Sequence, residues 1–206
     1  MTAPPMIKGK PFSFTKENEK HVLEILKKYP EGRQASAILP FLDLAQRQNG
    51  GWLSKESLEY VAERLKLPIM HVYEVASFYS MFNFKPVGKY FIQVCTTTPC
   101  WLRGSDDVLK ACKNHLGDIK PGEVTKDGNF SYREVECLGA CANAPMVQIN
   151  DEYYEDLDEK SMGKILTALR KGESVRVGSQ IGRKSSEPRS TKKTTSTPSK
   201  AKKKEK

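Results

Sequence analysis

Four of the five cysteines form two closely spaced pairs that could hold a metal centre. Cys95 and Cys100 are separated by four residues, Cys137 and Cys141 by three, and 36 residues lie between the pairs. A [2Fe–2S] cluster needs four thiolates, two on each iron, so two separated pairs on converging loops suit it. The spacing therefore predicts an iron–sulfur cluster with these four cysteines as ligands.

Two other interpretations of the cysteine pairs remain open from the residues alone. Structural zinc also accepts four thiolates, but its paired cysteines are typically two residues apart and form tighter turns. The plant-type ferredoxin pattern differs as well, because it places three cysteines in one loop. A zinc site and a set of ordinary buried thiols are thus the alternatives to the cluster.

The residues inside the two cysteine loops agree with a redox centre. Thr96, Thr97 and Thr98 lie between the first pair, where hydroxyl and backbone N–H groups could donate hydrogen bonds to sulfur. Gly139 and Ala140 lie between the second pair, where small side chains allow the backbone to approach closely. Such donors tune a reduction potential because they offset the negative charge that a cluster gains on reduction.

The remaining cysteine and the histidines do not extend this pattern. Cys112 lies among apolar residues of a predicted helix, which favours a structural role as a buried thiol. His21, His71 and His115 are scattered singly. A Rieske-type centre, in which two histidines replace two cysteines, is therefore not expected.

The first half of the chain has the hydrophobic spacing of helices. Helices are expected at about residues 15–28 and 33–48, after a cap at Ser54, and from Pro68 to about Tyr79. Brief connections separate these helices. The pattern predicts a small helical bundle over residues 12–84.

The second half alternates between strand and helix signals. The expected elements are a strand at residues 90–94, a helix capped by Ser105 and ending at Gly117, strand-like pieces around Val124 and at 130–135 joined by Asp127-Gly128, a strand at 146–149 and a helix at about 159–170. This order predicts a small α/β domain over residues 85–177, and an α+β class for the whole chain. The cysteine pairs follow strand ends, where open α/β sheets usually bind their ligands.

Residues 178–206 have the composition of a disordered tail. They are rich in Ser, Thr, Pro and Lys and nearly free of apolar residues, so they cannot bury enough surface to offset the entropy of ordering. From Arg183 onward there are ten Lys or Arg and two Glu, which supplies +8 of the total charge of +9. The rest of the chain is nearly neutral, so a basic face for specific nucleic-acid binding is not expected.

The sequence also carries signals about location and about missing sites. No apolar run approaches the ~18 residues of a membrane span, and residues 1–11 lack the pattern of a secretory signal. A bacterial cytoplasmic location is the simplest interpretation, with a processed organellar protein as the alternative. Neither a G-x-G-x-x-G run nor a Walker-type loop is present, so no nucleotide site is predicted.

Three segments of the chain carry a resemblance to a known family. They are Cys-Thr-Thr-Thr-Pro-Cys at 95–100, Cys-Leu-Gly-Ala-Cys-Ala-Asn-Ala-Pro at 137–145, and Val-Ala-Ser-Phe-Tyr-Ser-Met-Phe-Asn at 75–83. Together they resemble the 24 kDa (E) subunit of NADH:quinone oxidoreductase, respiratory complex I. The resemblance covers about residues 15–175.

This resemblance implies a helical part joined to a thioredoxin-like domain with one [2Fe–2S] cluster on Cys95, Cys100, Cys137 and Cys141. It also implies an electron-transfer subunit without catalytic residues of its own. A partner subunit would carry FMN and bind NADH, and further subunits would complete the peripheral arm. The complex would hold the chain at the inner face of a bacterial plasma membrane, or on the matrix side in mitochondria.

Three alternatives to this assignment remain. The first is the equivalent diaphorase subunit of an NAD-linked formate dehydrogenase or hydrogenase. The second is a ferredoxin that works alone, although a solitary carrier has no need of a long helical part. The third, from a different class, is an interaction module stabilised by zinc.

Overall fold

The computed structural model describes residues 4–117 and 119–184, and it has an α+β fold. Helices occupy the chain up to about residue 84, called here the helical half. A five-stranded sheet with three helices forms the rest, called here the sheet half. The fold class predicted from the sequence is therefore confirmed.

The helical half has four α-helices where the sequence predicts them. They are α1 (Lys16–Lys27), α2 (Ile38–Gln48, preceded by a 3-10 turn at Gln34–Ala37), α3 (Lys55–Leu65) and α4 (Ile69–Phe78). The side chain of Thr15 caps α1, and that of Ser54 caps α3, each by accepting a backbone N–H three residues later. These caps explain why α1 and α3 begin at these residues.

One apolar stripe from each helix builds the core of the helical half. The central buried side chains include Val22, Phe41, Leu42, Leu58, Val61 and Val72. Phe14, which precedes α1, packs edge-to-face on Phe41 and Tyr60, with ring centroids 6.0 and 5.4 Å away. The segment before the first helix thus covers the bundle.

The sheet half contains a mixed sheet with the strand order β2-β1-β3-β4-β5. Its strands are β1 (Tyr90–Cys95), β2 (Phe130–Val135), β3 (Val147–Ile149), β4 (Glu152–Glu155) and β5 (Gly178–Ser179). β1 is parallel to β2 and antiparallel to β3, β3 is antiparallel to β4, and β4 is parallel to β5. The helices are α5 (Thr98–Leu102), α6 (Ser105–Leu116) and α7 (Glu159–Lys171).

Helices α6 and α7 pack together on the sheet and close its core. Ile92 and Val94 of β1 meet Val108 of α6 and Met162 of α7 in one cluster of buried side chains. Cys112 is completely buried in this cluster, as its position on the apolar face predicts. Because α6 also connects β1 to β2, its packing fixes the parallel pair.

Polar contacts link the two halves. Arg47 of α2 donates two hydrogen bonds to the carboxylate of Asp151, at 2.9 and 3.0 Å. Arg133 of β2 donates to the carbonyl of Ser80, just after α4, and its guanidinium lies over the ring of Phe91. The division into residues 12–84 and 85–177 remains a prediction, although separate buried clusters lie on its two sides.

Several elements differ from the sequence-based expectation. Helix α5 and strands β4 and β5 are present but were not predicted, since each is short and lacks a clear hydrophobic period. Ser105 is the first residue of α6 rather than its cap, and Gly104 precedes it with a φ of 99°. Val124 forms a single bridge to Ser131 instead of a strand.

The start of the predicted tail also differs. Within residues 178–184, Gly178–Ser179 forms β5 on the edge of the sheet, and Ser179 is buried. The hydrogen bonds of β4 order this polar segment, which its composition alone did not indicate. Residues 185–206 of the predicted tail lie outside the described residues.

Across the part of the chain that the structure describes, no helix is both long enough and apolar enough to cross a membrane.

The close approach of Gly88 to β2 gives a test of this packing. A Cβ at this position would lie 2.4 Å from the carbonyl carbon of Phe130. Because the atoms that it would meet are backbone rather than a flexible side chain, they cannot easily move away. We expect Gly88→Ala to lower the free energy of unfolding by about 1–3 kcal/mol, measured by urea denaturation. The matched control is Lys85→Ala at an exposed position nearby. Equal stability of the two variants would contradict the close contact.

Candidate metal centre

The first cysteine pair lies where β1 ends. Cys95 is the last residue of β1, and its N–H donates to the carbonyl of Met146 at 3.3 Å. The N–H of Thr96 donates to the carbonyl of Val135, the last residue of β2, at 3.2 Å. These bonds hold the loop at the carboxyl ends of the two parallel strands.

Helix α5 returns Cys100 to the neighbourhood of Cys95. Pro99 lies in the first turn of α5, where its fixed φ favours a helix start. The N–H of Trp101 donates to the carbonyl of Thr97 at 3.0 Å and closes the turn. Cys95 and Cys100 are each only 1% exposed. The short helix therefore buries both sulfur atoms side by side.

The second pair follows β2 and is exposed. The sulfur atoms of Cys137 and Cys141 are 3.4 Å apart. A tetrahedral metal with metal–sulfur bonds of about 2.3 Å places two thiolate sulfurs about 3.8 Å apart. The pair is thus already near the spacing that one metal ion requires.

Hydrogen bonds to sulfur occur in both loops, as the loop composition predicts. The Thr97 hydroxyl lies 3.2 Å from the sulfur of Cys95. The N–H of Gly139 points to the sulfur of Cys137 at 3.4 Å. Gly139 has a φ of 85°, in the left-handed region that favours glycine. Its lack of a side chain therefore allows this turn.

A small apolar cluster brings the two loops together. Cys95, Cys100, Ala144 and Met146 are buried in it, and Leu138 packs against them. All four cysteines predicted as ligands thus lie at one end of the sheet. Their role as ligands is a proposal, developed below.

The family model for thioredoxin-like [2Fe-2S] ferredoxins matches residues 22–170, most of the chain. This chain belongs to that family. The resemblance inferred from the cysteine motifs is therefore confirmed, and so is the thioredoxin-like fold of the sheet half.

Curated relatives are similar over most of their length. The E subunit of NADH-quinone oxidoreductase from Rickettsia bellii (strain RML369-C) is 64% identical over 159 residues, which covers 77% of this chain and 95% of that protein. The mitochondrial NADH dehydrogenase [ubiquinone] flavoprotein 2 of Dictyostelium discoideum is 52% identical over 177 residues, which covers 86% of this chain and 71% of that protein. These similarities extend across both halves of the structure.

A solved structure supports the fold alone. A chain of the NAD+-reducing [NiFe]-hydrogenase in the H2-reduced state superposes with a TM-score of 0.56 at 20% identity. The match covers 65% of this chain and 23% of the hydrogenase chain, so the aligned part spans less than a quarter of that chain.

The arrangement of the side chains fits a two-iron cluster. The cysteines form two pairs that meet at one end of the sheet. Two pairs of thiolates match the donor set of a cluster that takes two thiolates on each iron. Structural zinc also accepts four thiolates, so metal analysis distinguishes the two.

The protonation of the cysteines differs between positions. Burial, together with the hydrogen bond and charge of Cys95, raises the pKa of Cys100 to about 12. Burial also acts to raise the pKa of Cys95, but hydrogen bonds from Thr97 and from the N–H of Leu138 outweigh it, so this pKa lies below its usual value. Metal ligands are thiolates, so metal binding at Cys100 must displace a proton.

The three histidines have partners outside the two cysteine loops. His21 and His71 pair with Glu24 and Glu74 on exposed faces of α1 and α4. The Nδ1 atom of His115 lies 2.9 Å from a backbone carbonyl within α6.

Two side chains that support the second loop were missed from the sequence. The Tyr153 hydroxyl donates to the carbonyl of Leu138 at 2.9 Å. The amide of Asn143, which is buried, donates to the carboxylate of Glu155 at 2.7 Å. Tyr153 and Glu155 belong to β4, and the alternation of this short strand was too brief to predict it.

Alkylation of the metal-free chain tests this geometry. At about pH 8, iodoacetamide should modify Cys137 well before Cys100 and Cys112, because only thiolates react and access is needed. Cys137 is exposed, whereas the other two are buried and burial raises the pKa of each to about 12. Mass spectrometry of peptides after a series of reaction times measures the order. Modification of Cys100 as fast as Cys137 would contradict the structure.

Proposed function

We propose that this chain is the [2Fe–2S] electron-transfer subunit of an NADH:quinone oxidoreductase, with Cys95, Cys100, Cys137 and Cys141 as cluster ligands. The observation that carries the proposal is the meeting of two cysteine pairs at the ends of β1 and β2. The similarity to the NADH-quinone oxidoreductase protein of Rickettsia bellii and to NADH dehydrogenase flavoprotein 2 supports the choice of complex.

The bound cluster would supply one-electron exchange with the FMN of a partner subunit that also binds NADH. The residues of this chain would bind, shield and tune it. The four cysteines serve as thiolate ligands and provide no acid or base. Thr97 and Gly139 donate hydrogen bonds toward sulfur, and such donors favour a more negative cluster.

Apolar side chains exposed beside the first pair support a surface that a partner covers. Trp101 and Leu102 follow Cys100 directly and are 57% and 70% exposed. Aromatic residues are enriched in protein interfaces. Near the end of the helical half, Phe82 and Phe84 are buried, but Phe78 is 80% exposed. We therefore place Trp101, Leu102 and Phe78 among the candidates for subunit contacts.

The complex also determines the proposed location. The chain would lie in the peripheral arm, on the cytoplasmic side at the inner face of a bacterial plasma membrane. In an organelle it would lie on the matrix side. The other subunits of the complex would connect this chain to the membrane.

The cluster assignment predicts the metal content and EPR signal of the protein, and a loss of cluster in variants that lack one ligand. Anaerobically purified protein should contain about two irons and about two acid-labile sulfides per chain, and an EPR signal should appear only on reduction. Cys95→Ser and Cys141→Ser should lower cluster occupancy, because each removes one thiolate ligand. The measurements are the visible absorption and EPR spectra, with iron, sulfide and zinc counted.

Cys112→Ser is the matched control, since it removes a thiol that is buried in the core of the sheet half. It should leave the spectrum intact. An unchanged spectrum in Cys95→Ser or Cys141→Ser would refute the ligand set. Zinc without sulfide in protein purified anaerobically from its native host would instead support a zinc-stabilised interaction module.

The partner assignment predicts reduction by NADH only in the complex. When the chain is purified by a tag from its native host under mild conditions, a flavin-containing subunit should accompany it, and NADH should produce the EPR signal of the reduced cluster. The isolated chain should not respond to NADH, because the flavin and the NADH site belong to the partner. Co-purification with a formate dehydrogenase or hydrogenase subunit instead would replace the proposed complex with one of those alternatives.

A further inference from the structure

Residues 178–184 form a strap across the second cysteine loop. Its strand β5 pairs with β4, and the N–H of Gln180 donates to the carbonyl of Glu155 at 3.0 Å. A turn follows, closed by the N–H of Gly182 on the carbonyl of Ser179 at 3.3 Å. The strap lies beyond residue 170, where the match to the family model ends.

Arg183, in the strap, reaches the cysteine loop directly. Its Nη2 atom donates to the carbonyl of Ala142 at 2.8 Å and to the carboxylate of Asp156. Ala142 follows Cys141 in the sequence, within a 3-10 turn at Cys141–Asn143. The guanidinium therefore holds the backbone next to one proposed ligand of the cluster.

Asp156 joins the strap, the end of β4 and the same loop. Its side chain is 3% exposed, whereas that of Arg183 is 46% exposed. The Ser179 hydroxyl donates to the Asp156 carboxylate at 2.6 Å, and the N–H of Asp156 donates to the carbonyl of Asn143 at 2.8 Å. Asp156 has a φ of 54°, a conformation that Asp and Asn adopt more readily than most residues.

The carboxylate of Asp156 stays charged in this environment. Burial acts to raise its pKa, but the hydrogen bonds from Arg183 and Ser179 outweigh burial and hold the pKa below its usual value. The ion pair between the half-exposed Arg183 and the buried Asp156 carboxylate thus fixes a cation beside the loop that carries Cys141. The guanidinium of the pair donates to the carbonyl next to this cysteine, and the carboxylate accepts a hydrogen bond from Ser179 of the strap.

We infer that Arg183 is a positioning residue for the Cys141 loop and that its charge raises the reduction potential of the cluster. This inference rests on the proposed ligand set. Reduction adds one negative charge to the cluster, so a fixed cation nearby favours the reduced form. Asp156 acts in the opposite direction, because its negative charge disfavours the reduced form.

A redox titration of the full-length chain with its cluster, followed by EPR, tests the inference. Arg183→Gln should lower the ratio of reduced to oxidised cluster at a given potential by up to tenfold, which corresponds to about 59 mV for one electron. Arg183→Lys keeps the positive charge, so its midpoint should stay closer to that of the unmodified chain. Its loss of the Ala142 hydrogen bond should shorten the half-life of the cluster in air.

Asp156→Asn separates charge from structure. The amide can keep the contacts to Arg183 and Ser179, but it leaves the guanidinium uncompensated, so the midpoint potential should rise. Under a purely structural role, Asp156→Asn would leave the midpoint unchanged as long as these contacts are kept, and any loss of them would shift the midpoint in the same direction as Arg183→Gln does. If Arg183→Gln does not retain its cluster, the midpoint potentials of Arg183→Lys and Asp156→Asn still show whether positive charge at the strap raises the potential.

Lys184→Gln is the matched control, because it removes the same charge from an exposed neighbour in the strap. Its midpoint should not change. Equal midpoints for Arg183→Gln and Lys184→Gln, or shifts of the same sign for Arg183→Gln and Asp156→Asn, would overturn the inference but leave the proposed function intact. The absence of a [2Fe–2S] signal from the unmodified chain would overturn both.

Discussion

The parallel pairing of β1 with β2 is the constraint on which the candidate site depends. Parallel strands end at the same edge of a sheet, so Cys95 at the end of β1 and the loop that follows Val135 of β2 emerge side by side. A parallel pair also needs a crossover connection, which α6 supplies. Because α6 is buried against α7 and the sheet, the core of the sheet half determines where the two cysteine pairs meet.

Charge is the second constraint on this site. Four thiolates close together repel one another, and burial adds to the cost of ionising Cys100, whose pKa is raised to about 12. Metal ions would compensate this charge, which couples ligand ionisation to metal binding. The donors at Thr97 and Gly139 compensate a further part. The Arg183–Asp156 pair adds a fixed dipole at the loop of the second cysteine pair.

Much of the fold could be predicted because its signals are local. The helices of the first half follow from apolar spacing and from caps such as Ser54, and β1 follows from a run of β-branched and aromatic residues. Strands β4 and β5 could not be predicted, since they are short and are ordered by hydrogen bonds to distant residues. The contact between Asp156 and Arg183 could not be predicted for the same reason, because these residues are far apart in the sequence and meet only when β5 pairs with β4.

The sequence by itself determined the family, the α+β class and the two cysteine pairs, because residue spacing and turn chemistry are written along the chain. Only the tertiary structure decided that Cys95 and Cys100 are buried while Cys137 and Cys141 are exposed. It also decided that part of the predicted tail lies against the cysteine loop. Burial and charge pairing depend on which segments pack together, and that packing comes from contacts between residues distant in the chain.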